Sequence, residues 1–424
     1  MVREMKHTEI GDIPVDWELQ TFEETFRVLS NNTLSRENLN NRGGAVRNIH
    51  YGDILTKFPE VLDYREEDIP YINDLSLLTS STQLLQDGDI VIADTAEDDA
   101  VGKVTEVQNI GNGKLVAGLH TIPCRVKKGE FAPGWLGYYM NSHLFHGQVL
   151  PFVTGIKVSS ISKSAISETI IAIPPIEEQK AIIRALRDVD AYLYHSNNLV
   201  VKKLALKNGM MQKLLSGDIR VSGFTKPWEY KALGSFREIT STIRVHESDW
   251  RNNGIPFYRA REIVALHDNL AISPLHISEE LYIQNTLKCG EISEGDLLIT
   301  GVGTIGVPYA VEANDKFYFK DGNIIWAKKD KDSVGKFLFY QFDSSFVRKQ
   351  IDDMAGIGTV GTYTIEGAKK TVIPMPEYQE QKEIVDILNS ISGDIIKLQS
   401  KIQKIKGIKS GMMSGLLSGK IRLV

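Results

Sequence analysis

Residues 169–222 read TIIAIPPIEEQKAIIRALRDVDAYLYHSNNLVVKKLALKNGMMQKLLSGDIRVS, and residues 371–424 read TVIPMPEYQEQKEIVDILNSISGDIIKLQSKIQKIKGIKSGMMSGLLSGKIRLV. They align without a gap at an offset of 202, with 19 of 54 positions identical. Chance does not give a gapless match of this length, so the chain contains an internal repeat. Its strongest islands are Glu178-Gln179-Lys180 opposite Glu380-Gln381-Lys382, Gly209-Met210-Met211 opposite Gly411-Met412-Met413, and Leu214–Gly217 opposite Leu416–Gly419.

Both stretches read as long helices. In the second, apolar residues fall at Ile384, Leu388, Ile391, Ile395, Leu398, Ile402, Ile405, Met412 and Leu416, in steps of four and three broken only by Lys409. That is a heptad seam of period 3.5. The first gives Ile182, Leu186, Val189, Leu193, Ser196, Val200, Lys203, Lys207, Met210 and Leu214, with three polar positions. Pro174-Pro175 and Pro376 suit a first turn, and Glu177, Glu178, Glu377 and Glu380 follow where the helix dipole favours acids. Gly217 and Gly419 mark the stops. Each helix would span roughly 60 Å at 1.5 Å per residue. Each helix could pack on its own globular region, or the two could pair as a coiled coil. The single narrow seam on both favours pairing, and antiparallel pairing gives a gapless two-copy chain a pseudo-two-fold axis. Lys203, Lys207 and Lys409 on the seam would then fix register or receive a partner.

Outward from these helices the repeat continues more faintly. Trp17-Glu18 resembles Trp228-Glu229, and Gly88–Ile92 resembles Gly295–Ile299. Gly134–Gly155 runs parallel to Gly335–Gly356, with Tyr139 over Tyr340 and Phe145 over Phe346. The chain therefore divides into a globular region (1–173), a helix (174–217), a second globular region (218–374) and a second helix (375–424). Short β-type runs at Gly88–Ala93, Asp296–Thr300 and Lys320–Ala327, and short helices near Trp135–Leu144 and Lys336–Gln350, predict an α+β fold with small mixed sheets. The helices have stayed alike while the globular regions have drifted. Two copies that share one partner but bind different targets would look like this.

Composition bounds the function. The 424 residues carry 49 Lys+Arg against 54 Asp+Glu, a formal net charge of −5, which excludes a uniformly basic DNA coat. From Ile395 to Val424 there are seven basic residues and no acid, so the remainder carries −12. Such a run suits a solvated helix face, a nucleic acid or an acidic partner. Cys124 and Cys289 form no disulfide framework and favour a reducing compartment. The polar N-terminus lacks a signal-peptide core, and no apolar run approaches the ~18–20 residues that cross a bilayer. The expectation is a cytoplasmic protein.

Catalytic motifs are missing. Gly301-Val302-Gly303-Thr304-Ile305-Gly306 follows an apolar run and imitates the dinucleotide fingerprint. Val307-Pro308-Tyr309-Ala310-Val311 then looks extended, where the fingerprint requires a helix opening on the pyrophosphate. It reads as a glycine-rich connection between strands. There is no phosphate loop, no HExxH, no zinc spacing around His143 and His146, no adenine-methyltransferase tetrapeptide and no nuclease signature. The cluster Asp94, Glu97, Asp98 and Asp99 reads as a solvated loop or a cation site.

What remains is recognition surface. Asn31, Asn32 and Arg36 lead to Arg42, Arg47 and Asn48 in the first copy. Thr242 and Arg244 lead to Arg251, Asn252, Tyr258, Arg259 and Arg261 in the second, with Arg42 over Arg251. A further polar loop follows in each: Lys157, Ser159 and Ser160, and Thr359, Thr362 and Tyr363. Arg and Asn read guanine and adenine edges bidentately, and Ser, Thr and glycine-backed amides suit phosphates. The plain alternative is a set of ordinary polar loops.

Together these features resemble the specificity (S) subunit of type I restriction–modification systems, over essentially the whole chain. The most specific parts are Pro174, Pro175, Glu178 and Gln179 opening a long helix, the endings Leu214–Arg220 and Leu416–Arg422, and Ile13-Pro14-x-x-Trp17. The second copy departs from the pattern, with Pro376-Glu377 and Lys226-Pro227-Trp228. The resemblance implies two target-recognition domains, each reading half of a bipartite double-stranded DNA site. It also implies paired helices that set the gap through seam residues such as Ile182, Leu186, Val189, Leu193, Ile384, Leu388, Ile391, Ile395, Leu398 and Ile402, and that dock two methyltransferase subunits. Restriction subunits would join. S-adenosylmethionine, ATP and Mg would sit in the partners, and this chain would carry no catalysis, cofactor or metal. The rival reading is a bivalent scaffold that binds proteins and not DNA.

Overall fold

A computed structural model of the chain describes residues 4–98, 100–155, 158–355 and 361–423. The chain forms two compact units, one of Met1–Asn197 with Lys401–Val424, the other of Asn198–Ser400. The long helices Ile176–Ser216 and Tyr378–Leu416 each contribute a part to both units.

In the first unit a five-stranded sheet has the order Phe26–Val28, Thr121–Val126, Ile90–Ala93, Val104–Gln108, Val61–Asp63. All its pairs are antiparallel except the last. Ile90–Ala93 is buried at every position, which explains its unbroken apolar run. A second sheet joins Leu115–Ala117, Arg47–Ile49, Tyr71–Ile72 and Leu39–Asn40. Glu18–Thr21 pairs with Ile170–Ile173, so the beginning and end of the globular region close on each other before Pro174.

The second unit repeats the plan. Ile239–Thr240, Ile324–Ala327, Leu297–Thr300 and Pro308–Ala310 form the antiparallel sheet. Leu275–Ile277, Ile255–Tyr258 and Tyr318–Phe319 form the smaller one, and Glu229–Ala232 pairs with Val372–Met375. The Gly-Asp pair before each central strand has one local reason. Gly88 and Gly295 turn at φ 84° and 90°, and the buried Asp89 and Asp296 accept the N–H groups of Gln86 and Ser293. Gly301–Gly306 is a tight turn between two antiparallel strands: Gly306 N–H donates to Thr300 O at 2.7 Å and Val307 N–H to the Thr300 hydroxyl at 2.9 Å. A strand follows it, so the dinucleotide fingerprint is excluded by context.

The long helices bury the seam read from the sequence. Ile182, Leu186, Ile384, Leu388, Ile395 and Ile402 are buried, and Val189, Leu193, Ile391 and Leu398 are partly buried. Within the first unit Ile182, Ile183 and Leu186 share a core with Leu416 and Leu417. Asp190 meets Lys409, and Lys401 lies over the Tyr192 ring, so these parts run antiparallel. Within the second unit Leu214 and Leu215 share a core with Ile384, Val385 and Leu388, and Lys203 meets Asp394 at 2.9 Å. Among the described residues no helix is long and apolar enough to cross a membrane.

Candidate nucleic-acid interface

In the first unit the polar loops gather where the central strand ends. Asn31 donates from its side-chain amide to the carbonyls of Gly118 and Thr121, at 3.1 and 3.0 Å. Asp94 N–H donates to His120 O, and Ile161 N–H to Asp94 O. Ser159 and Ser160 pair as a short strand with Ala96 and Thr95. Residues 30–32, 94–96, 118–120 and 159–160 thus meet at one end of the sheet.

The second unit gathers corresponding loops at the corresponding end. Ser241 donates to Ile324 O, and the Thr242 hydroxyl to Phe319 O at 2.7 Å. Gly301 N–H donates to Asn323 O, and Tyr363 N–H to Gly301 O. Thr362 is exposed on this loop. Tyr363 is buried, and its hydroxyl shares a hydrogen bond with Thr371, so it anchors the loop. Lys157 and Thr359, like Asp99 of the acidic cluster, lie outside the described residues.

The remaining recognition residues divide into presented and engaged. Arg42 and Asn252 are exposed, and their side chains bond to none of the described residues. Arg251 is exposed and donates to the carbonyls of Ser248 and Trp250 in its own turn. Arg244 is 69% exposed, held on one side by Asp321 at 3.0 Å. Arg36 is half exposed and forms a bidentate pair with the buried Asp53, at 3.0 and 2.6 Å. Such a pair holds the guanidinium plane while leaving an edge in solvent. Arg47 lies between the rings of Tyr64 and Tyr71, at 4.4 and 5.1 Å, and donates to Tyr64 O. Asn48 is fully buried and accepts from Asn32 at 2.7 Å; both hold the small sheet to the loop end. Arg259 and Arg261 both bind the buried Glu262, whose carboxyl the two guanidiniums hold below its usual range despite its burial. Arg261 keeps 67% of its side chain in solvent. Tyr258 stacks on Phe317 at 4.1 Å. Exposed arginines over a rigid carboxylate or aromatic support are suited to phosphate and base edges.

One arrangement escaped the sequence reading. Trp17 donates from its indole to Glu178 at 3.1 Å, and Arg422 binds the same carboxylate and Asp16. In the second unit Trp228 donates to Glu380 at 3.1 Å, and Arg220 grips Glu380 with two bonds of 2.7 Å. Gln179 and Gln381 beside them accept the N–H groups of Ala132 and Val334 and donate to the carbonyls of Pro174 and Pro376. The signal was present: Glu178-Gln179 opposite Glu380-Gln381 is one of the strongest islands of the repeat, and Trp17 and Trp228, like Arg220 and Arg422, recur in both copies. Only their meeting was invisible. Two further groups meet at the loop end of the first unit: Tyr51, which closes the recognition stretch Arg47–Tyr51, and His120, which carries no sequence signal.

Comparison with known proteins bears on these geometries. A family model described as type I restriction modification DNA specificity domain matches twice, over residues 14–202 and 225–407. A relative from Methanocaldococcus jannaschii, named "Putative type I restriction enzyme MjaX specificity subunit", is 26% identical over 99% of this chain and 96% of its own length. The EcoKI specificity subunit of Escherichia coli is 24% identical, over 59% of this chain and 57% of its own. The S subunit of a type I restriction–modification system from M. genitalium superposes with a TM-score of 0.53 at 14% identity, covering 98% of this chain and 99% of that one. A chain from a structural study of type I system assembly reaches 0.61 at 14% identity, over 96% and 99%. At these identities the structures speak for the fold alone.

Proposed function

The chain belongs to the type I restriction modification DNA specificity family, and from that premise we propose that it is the non-catalytic sequence-reading subunit of a type I restriction–modification complex. The proposal assigns residues 1–173 and 218–374 as two target-recognition domains, each meeting one half of a bipartite duplex. Helices 174–217 and 375–424 would pair along their seams as an antiparallel coiled coil that sets the gap between half-sites. They would dock two methyltransferase subunits, and restriction subunits would complete the assembly. S-adenosylmethionine, ATP and Mg belong to those partners, and the complex works in the prokaryotic cytoplasm.

The observation that carries this reading is the same loop end built twice from different side chains. Asn31, Ser159 and Ser160 in one unit answer Thr242, Thr362 and the Gly301–Gly306 turn in the other. A scaffold for two copies of one protein would have no use for two different loop surfaces. The helix-start nodes Trp17–Glu178–Arg422 and Trp228–Glu380–Arg220 are nearly the same, as one repeated partner requires.

The test is duplex binding by the chain with its methyltransferase, titrated with salt. Log affinity should fall linearly with log salt, because arginine–phosphate contacts release counterions. With a net charge of −5, the chain alone should bind DNA far more weakly than the complex. A complex indifferent to duplex DNA at low salt would support the protein scaffold instead.

A further inference from the structure

His120 is held in a conformation that its side chain disfavours. It ends the turn Gly118-Leu119-His120 before strand Thr121–Val126, at φ 56°. A side chain at positive φ crowds the neighbouring carbonyl, so such a residue persists only where its surroundings fix it. In the corresponding turn of the second unit, Asp321-Gly322-Asn323 before strand Ile324–Ala327, Asn323 takes the place of His120, its carbonyl accepting from Gly301 N–H, and the positive φ falls one residue earlier, on Gly322 at 68°. The second unit closes its turn without a positive φ at this position, so the strained histidine is particular to the first unit.

The surroundings fix the ring as well as the backbone. His120 O accepts from Asp94 N–H, and Gly118 N–H donates to Ile49 O at 2.8 Å. His120 Nδ1 lies 3.2 Å from the Thr95 hydroxyl and 3.4 Å from the Asp94 carboxylate, and Thr95 donates to Asp94 at 2.8 Å. The ring packs edge-on against Tyr51 at 5.2 Å, and Tyr51 packs on His50. The side chain is still 46% exposed, at the loop end that Asn31, Ser159 and Ser160 share. With acceptors on the Nδ1 side, the neutral ring carries its proton there and keeps its Nε2 lone pair. Nε2 has no partner among the described residues.

We propose that His120 is a specificity-determining residue of the first recognition domain, its Nε2 accepting from the exocyclic amine of an adenine or cytosine in the major groove. Those amines are the donors that separate adenine and cytosine from guanine and thymine there. The inference rests on the specificity-subunit reading. Asp94, Thr95 and Tyr51 are positioning residues that aim the ring.

The test is methylome sequencing of a host expressing the complex with wild-type chain, His120→Gly or His120→Asn. Glycine suits positive φ without strain and asparagine tolerates it, so both variants keep the turn. Thermal unfolding of the purified complexes checks that they do. The expected result is a motif that stays bipartite with its gap unchanged, and whose preference at one position of one half falls about tenfold or more. An unchanged motif would overturn the assignment. So would an even fall in methylation with the same motif, which marks a phosphate contact or a purely structural turn. A wild-type complex that yields no bipartite motif would instead overturn the specificity-subunit reading itself, and this inference with it.

Discussion

Glu178 and Glu380 are fully buried carboxylates, and each is tolerable because an indole N–H and a guanidinium meet it. Removing the cation leaves a buried charge without its counterion. Arg422→Ala and Arg220→Ala should each cost about 3 kcal/mol. Urea unfolding would show it, and a loss below about 0.5 kcal/mol, the level of a surface pair, would refute the node's importance. His50 makes a pH-dependent contribution. Its Nδ1 accepts Gly52 N–H at the start of helix Tyr51–Thr56, and burial, aided by Arg36, lowers its pKa. A lowered folded pKa favours the neutral ring, so its contribution is full above the unfolded value of about 6.5 and is lost as pH falls below it through the lower folded pKa. His50→Asn keeps a cap acceptor without the charge, and should flatten the fall of melting temperature between about pH 7 and 5. An unchanged slope would assign that fall to other groups. At this scale sequence showed which residue types could read DNA, and could not tell presented from engaged. Arg42 and Arg47 look alike on paper; one stands in solvent and the other is sandwiched by Tyr64 and Tyr71.

At the scale of elements, the long helices were legible because a seam of period 3.5 is a local pattern. The strands Ile90–Ala93 and Leu297–Thr300 were legible because burial on both faces leaves an unbroken apolar run. The pairing of Glu18–Thr21 with Ile170–Ile173 was not, because its partners are distant in sequence and neither strand alternates distinctively. The seam lysines show the same limit. Lys409 breaks the apolar series, and sequence left open whether it fixes register or awaits a partner. It binds Glu60 of the globular region at 2.8 Å and Asp190 of the other long helix at 2.7 Å, and is only 15% exposed. Lys203 meets Asp394, which is 52% exposed. Lys409→Met should therefore destabilise by about 2–3 kcal/mol, leaving two carboxylates without their cation. Lys203→Met should stay within about 0.5 kcal/mol. Equal effects in urea unfolding would mean that the two seam lysines are equivalent.

For the whole molecule, repetition carries the meaning. Two globular regions share the order of four strands in the larger sheet and a loop end, and differ in the side chains on that end. The basic run after Ile395 is only partly available to partners. Arg422 and Lys409 are spent inside the first unit, while Lys397, Lys404, Lys406 and Lys420 are exposed. The central claim is that each globular region reads its own half-site. The most direct measurement is methylome sequencing after residues 20–165 are exchanged for the matching region of another family member. The account predicts a new sequence in one half of the methylated motif, with the other half unchanged. A motif altered in both halves, or in neither, would contradict it.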